Sequence, residues 1–226
     1  SNAEGTAEHV WQTSWGVSTR LIGAVVMGHG DDYGLRLLPA LAPAEVVVLM
    51  IKEDEGVRTA AEALVADLRS QGHRVRLDDR VEASFGRRSV AWELKGVPVR
   101  VEIGPRDLAE GHVTVVTRHL REKRTVVLSA VGHEVTAILE RVGPELYAEA
   151  EAMREGRTAD VGTLEEAIEA ANSGFARIPM GALGAEGEDR LATQALSIRC
   201  LQRPDGSLAE PEDAEADLTA VVGRSY

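Results

Sequence analysis

Between residues 44 and 130, apolar runs of strand length alternate with segments of helical spacing, and no other feature of the chain restricts its fold as much. The stretch AEVVVLMI, residues 44–51, is apolar almost throughout. A run that short, followed by apolar residues at Val57, Ala60, Ala61, Leu64, Val65 and Leu68, reads as a buried strand and then an amphipathic helix. Gly72 stands where a helix C-terminus favours glycine, HRVRL alternates as a second strand, and SVAWELK reads as a second helix ending at Gly96. PVRVEI is the third strand, broken by Gly104 and Pro105, and HVTVVTR and RTVVLSA are the fourth and fifth. Three strands separated by helices, then two in direct succession, predict an α/β domain: a mixed five-stranded sheet flanked by helices, running to about residue 142.

The flanks are less regular. Residues 11–41 hold the apolar run LIGAVVM and then GHGDDYG, in which Asp31, Asp32 and Gly34 predict a tight connection. Ser1, Asn2 and Ala3 read as the remnant of a cleaved tag, and the chain after them reads as a piece of a longer protein. Residues 133–142 and 145–153 carry helical spacing, which Gly143 and Pro144 are expected to kink or split. Thr163 followed by Glu166 is a capping-box signal for a helix through Ala171. FARIPM, ALSIRCLQ and LTAVVGRSY are strand-like, so the remainder reads as a small α+β domain. Residues 204–217, with six acidic residues and no base, read as a solvated loop.

Composition excludes several classes of function. At 44% apolar and 27% charged, 226 residues make a globular chain rather than a disordered one. Its apolar runs stop far short of the roughly 18–20 residues of a membrane span, and no leader opens it, so a cytoplasmic location without membrane contact is expected. Cys200 is the single cysteine, which rules out an internal disulfide or a zinc site built from several thiolates. The net charge of −12 repels phosphate and argues against nonspecific coating of nucleic acid.

Charge is nonetheless uneven. Residues 73–124 carry twelve Lys/Arg against eight Asp/Glu, a net of +4, which is compatible with scattered solvated arginines or with a surface that faces a polyanion. The loop GPRD would put Arg106 and exposed backbone N–H groups at one sheet edge. Only Phe85 and Trp92 are aromatic nearby, and Trp92 reads as core, so a stacking platform for single strands is not expected.

Three stretches, in order, resemble a known family. WQTSWGVSTRLIGAVVMGHGDDYGLRLLP resembles the third signature motif of class II aminoacyl-tRNA synthetases in its prolyl form. AWELKGVPVRVEIGPRDL resembles the centre of the prolyl enzymes' anticodon-binding domain, and the final GRSY resembles the end of the archaeal/eukaryotic-type enzymes. The resemblance implies three parts: residues 4–42 as the end of a catalytic domain, 43–142 as an anticodon-binding domain and 143–226 as a C-terminal domain.

The same resemblance implies roles. Arg20 matches the motif's ATP-binding arginine, a guanidinium suited to phosphate oxygens, with Gln12, Thr13 and Gly16 beside the nucleotide and Gly23 allowing close approach. His29, in a turn, reads as structural. Glu93, Arg100, Arg106 and Lys123 match anticodon-binding positions, Arg106 where the family often has lysine. Proline anticodons carry two adjacent guanines; a carboxylate can accept both donors of a guanine pairing edge, while Arg or Lys takes its acceptors. The partners implied are proline tRNA, proline, ATP with Mg2+ and a second copy in a homodimer; the piece alone is expected to be inactive. The zinc that often occupies the family's C-terminal domain is not expected, because Cys200 is the only thiol and no histidine follows His133. The alternatives are a threonyl, histidyl or glycyl enzyme, a synthetase-derived tRNA-binding module without activity, or, outside RNA biology, a small-molecule-binding α/β protein.

Overall fold

The computed structural model describes residues 5–7, 9, 13–184 and 186–224. Residues 1–3, read from the sequence as a tag remnant, Gln12 and the last two residues of GRSY lie outside the described residues. The chain divides into two compact units, Ser1–Pro144 and Glu145–Tyr226.

The first unit opens with α1 (Arg20–His29) and a hairpin of β1 (Gly30–Asp31) and β2 (Gly34–Leu35). Asp31 closes the hairpin turn, its Oδ1 accepting the N–H of Tyr33 at 2.8 Å. Then come β3 (Val46–Met50), α2 (Glu55–Ser70), β4 (Val75–Asp78), α3 (Phe85–Leu94), β5 (Val99–Ile103), α4 (Pro105–Ala109), β6 (His112–Thr117) and β7 (Glu122–Val127). The sheet order is β4-β3-β5-β6-β7. The strands β4, β3 and β5, which are joined by helices, run parallel, and β6 and β7 are added antiparallel, giving the mixed sheet that the pattern predicts.

β3 and β5 are buried at every position, which is why AEVVVLMI shows no alternation. Asp54 caps α2 by accepting the N–H of Val57 at 3.0 Å, and Val57, Ala61, Leu64, Val65 and Leu68 form its buried face. A buried polar cluster joins α3 to the sheet. Arg88 Nη1 donates to Asp78 Oδ1 at 3.2 Å and Nη2 to the Met50 carbonyl at 2.7 Å, while Trp92 Nε1 donates to Asp78 Oδ2 at 2.6 Å. Trp92 is therefore a half-buried anchor with a polar end rather than plain core. Burial raises the pKa of Asp78, but hydrogen bonds from Arg80, Trp92 and Arg88 outweigh it and hold the carboxyl well below the ordinary carboxylate range.

Two expectations are corrected here. GPRD is not a loop at a sheet edge: Gly104 precedes the short helix α4, which starts at Pro105 beyond the carboxyl end of the central strand β5. Proline's fixed φ and missing N–H suit the first helical position. Gly143 and Pro144 do not split their helix either, because α5 (Val131–Gly156) runs without interruption through Pro144. An interior proline costs about 3 kcal/mol, and the buried side chains of α5, among them Val131, Val135, Ile138 and Val142, all lie ahead of it.

The second unit takes the end of α5, then β8 (Thr158–Asp160), α6 (Leu164–Ala171), β9 (Phe175–Pro179), α7 (Met180–Leu183), α8 (Gly187–Thr193), β10 (Leu196–Gln202) and β11 (Thr219–Arg224). Its sheet order is β10-β11-β9-β8, with Leu164, Ala167, Ile178, Leu183, Leu191, Leu196 and Val222 in its core. The capping box is formed: Thr163 Oγ1 accepts the Glu166 N–H at 3.3 Å, and Glu166 Oε2 accepts that of Thr163 at 3.1 Å. The acidic loop is held by Arg203, whose Nε donates to Asp213 Oδ2 at 2.7 Å.

Candidate nucleic-acid interface

Side chains of a strand alternate between faces, so Arg100 and Glu102 of β5 share one face while Val99, Val101 and Ile103 share the other. Register then places Lys123 beside them: Arg100 pairs with Val116 of β6, and Val116 with Lys123 of β7. Glu102, 5% exposed, joins the two cations, with Oε1 2.8 Å from Arg100 Nε and Oε2 3.6 Å from Lys123 Nζ. Arg100, tied to Glu102 through Nε, also lines the cavity beside it.

That cavity, about 180 Å³, is lined among others by Ser89, Glu93, Arg100, Arg118, Arg121 and Lys123. A single water needs only on the order of 10–15 Å³, so the space suits a larger group. Four cations stand on its wall against Glu93 and the carboxylates of Glu102 and Asp31 paired to them, which suits a ligand that offers both N–H donors and acceptors.

Glu93 reaches the cavity from the last turn of α3, and two arginines from the turn between β6 and β7 meet it. Arg121 Nε lies 3.6 Å from Glu93 Oε1, and the Arg121 guanidinium stacks 3.3 Å above the Tyr33 ring. Arg121 has φ 57°, a left-handed conformation that costs a residue with a Cβ roughly 1–2 kcal/mol. Arg118, 4% exposed, donates Nε to the Glu93 carbonyl at 3.1 Å and forks onto Asp31 at 2.6 and 3.0 Å. Hydrogen bonding from Arg118 outweighs burial and lowers the Asp31 pKa.

Of the anticodon positions taken from the sequence, Glu93, Arg100 and Lys123 thus meet at one cavity. Arg106 does not line it and stands exposed on α4. Thr13, Gly16, Arg20 and Gly23 are exposed, and a Cβ at Gly16 or Gly23 would meet nothing within 4 Å. His29, half-buried at the end of α1, holds the hairpin through its carbonyl, which accepts the Arg36 N–H at 2.6 Å. Sequence reasoning missed Glu102, Arg118, Arg121, Asp31 and Tyr33; of these only Glu102 had a local signal, its two-residue spacing from Arg100 on a strand.

Comparison with known proteins places the chain beside one family. The anticodon binding domain family matches residues 45–138. A proline–tRNA ligase of Frankia casuarinae is 50% identical over 224 residues, covering 99% of this chain and 48% of that protein. Proline–tRNA ligase 2 of Streptomyces avermitilis is also 50% identical over 224 residues, covering 99% and 47%. The chain spans about half the length of the curated relatives it matches. Among solved structures, prolyl-tRNA synthetase from Cryptosporidium parvum, complexed with L-proline and AMP, superposes with a TM-score of 0.81 at 28% identity, covering 100% of this chain and 50% of that one. Residues 45–138 thus match the anticodon binding domain family, and the chain as a whole is similar to about half of a proline–tRNA ligase.

Proposed function

We propose that this chain is part of an archaeal/eukaryotic-type prolyl-tRNA synthetase of the cytoplasm and reads the proline anticodon at the cavity between α3 and the sheet. The observation that carries the reading is the convergence of Glu93, Arg100 and Lys123, drawn from a helix and two strands, on one cavity. Glu93 accepts from the N1–H and N2–H of a guanine; Arg100 and Lys123, held by Glu102, donate to its acceptors or to phosphate. Arg106, exposed beyond β5, adds a contact to the flanking backbone. Superposition of the Cryptosporidium parvum enzyme over the whole chain, including residues beyond 145, supports the archaeal/eukaryotic type.

Residues 4–42 belong on this reading to the end of the catalytic domain, 43–142 to the anticodon domain and 143–226 to a zinc-less C-terminal domain, in a homodimeric enzyme that forms prolyl-tRNA from proline, ATP and tRNA. Arg20 would bind ATP, with Thr13, Gly16 and Gln12 beside it. The described residues do not enclose a nucleotide there, since α1 has no buried residue. Zinc does not fit the second unit on donor chemistry: Cys200 is its one thiol and no histidine follows His133.

Binding of an RNA hairpin with a proline anticodon loop, beside the same hairpin with one anticodon guanine changed to adenine, tests the reading at fixed salt. Glu93→Ala should reduce discrimination by about 1–3 kcal/mol. Arg106→Ala should weaken both hairpins alike and flatten the salt dependence, the mark of a phosphate contact. A wild-type chain that treats the hairpins equally, or an unchanged ratio in Glu93→Ala, sinks the assignment.

A further inference from the structure

The residues that orient Glu93 come in part from outside the matched domain. The hairpin β1–β2 precedes residue 45, yet it is locked to the end of α3 through its backbone. Gly34, at φ +122°, lies so close to Leu94 that a Cβ would collide with the Leu94 backbone. Gly96, at φ +70°, is reciprocal: a Cβ there would fall 2.6–2.7 Å from atoms of Leu35. Backbones in such contact leave the hairpin no freedom to slide along the helix that carries Glu93.

Two side-chain relays start from this junction and both end on Glu93. In one, the Asp31 carboxylate grips both ends of the Arg118 guanidinium, whose remaining Nε–H holds the Glu93 carbonyl. In the other, Tyr33 supports the flat face of Arg121, whose Nε faces the Glu93 carboxylate. Arg36 Nε, 3.9 Å from Asp31, adds a second cation to the same carboxylate. Buried Arg118 has all three of its guanidinium nitrogens engaged in the first relay, and Arg121 keeps a left-handed backbone in the second.

We propose that Asp31 and Tyr33 are positioning residues for the anticodon site: the hairpin sets the place and aim of Glu93 through Arg118 and Arg121. This rests on the reading of the cavity given above. It makes the guanine preference of the domain depend on the segment before residue 43, so that displacement of that segment alters which base is accepted and not only how tightly.

The 226-residue chain is assayed with the guanine and adenine hairpins at fixed salt, with the thermal midpoint followed in parallel. Asp31→Ala should lower the guanine-to-adenine affinity ratio about two- to thirtyfold, while binding of the adenine hairpin changes little. Combining Asp31→Ala with Glu93→Ala should lower the ratio no further than Glu93→Ala alone, because both act on one carboxylate. Tyr33→Leu, which spares the Asp31–Arg118 pair, should also lower the ratio, and it serves as the test if Asp31→Ala does not fold. The proposal is overturned if the variants weaken both hairpins by the same factor or leave the ratio at its wild-type value while Glu93→Ala reduces it. If the wild type itself does not discriminate, or Glu93→Ala leaves the ratio unchanged, the reading of the cavity fails, and this inference fails with it.

Discussion

Asp78→Ala is expected to destabilise the first unit by about 3–5 kcal/mol at pH 7, because it leaves a buried guanidinium without its counter-ion. Arg88 is 2% exposed and Asp78 1% exposed, so water cannot take over the lost contact. Trp92 loses its acceptor in the same substitution. Arg88 and Trp92 stand four apart on one face of α3, so a single carboxylate fixes the helix that presents Glu93 one residue further on. The pH dependence has a definite sign. The folded-state pKa of Asp78 is lowered, so its contribution is complete above the unfolded value near 4 and is lost progressively as pH falls below it. The difference between wild type and variant, measured by denaturant unfolding, should therefore be largest near neutrality and shrink at pH 3. A loss below about 1 kcal/mol at pH 7, or one that grows on acidification, would show that the cluster does not hold α3.

Ile178→Ala should remove about 2–5 kcal/mol from the second unit, the cost of a large-to-small change at a closed core site. Ile178 is 0% exposed on β9, an inner strand flanked by β11 and β8, with α6 packed against it. The surrounding core combines Ala167, Ala171, Ala176 and Ala220 with Leu164, Leu183, Leu191 and Leu196, so the size of the loss reports how far those leucines can move into the space. Hydrogen exchange of the β9 and β11 amides provides the measurement. Protection retained within about 1 kcal/mol of wild type would mean that the site collapses around the smaller side chain and that Ile178 is not its keystone.

What the sequence disclosed, and what it hid, follows from the range of the interactions. The run AEVVVLMI announced β3 because a central strand has no wet face, and Thr163 with Glu166 announced α6 because a capping box is complete within four residues. Strands too short to show a period went unseen, such as β8 with its three residues. Of the two outcomes expected at Pro144, a kink or a split, the split does not occur, because a local penalty read from sequence does not by itself end a helix. Glu93, Arg100 and Lys123 were named by family resemblance, and the fold brings them to one cavity. Their supports were hidden for a physical reason: Asp31 and Arg118 lie 87 positions apart, and nothing near either residue reveals the other. Glu102 was within reach, since Arg100 two positions earlier on a strand shares its face.

Lys123 has one more consequence, which follows from its place on β7, the open edge of the five-stranded sheet. An unpaired strand edge is a template on which another chain can add, and natural sheets deter this with charge. Glu122, Lys123 and Arg124 stand exposed in succession along that edge, ahead of Thr125, Val126 and Val127, whose β-branched sequence would otherwise invite pairing. The lysine at the cavity is thus also a gatekeeper of solubility. A redesign of base preference that puts an apolar residue at 123 would remove part of that deterrent, and self-association through β7 would accompany the change in specificity.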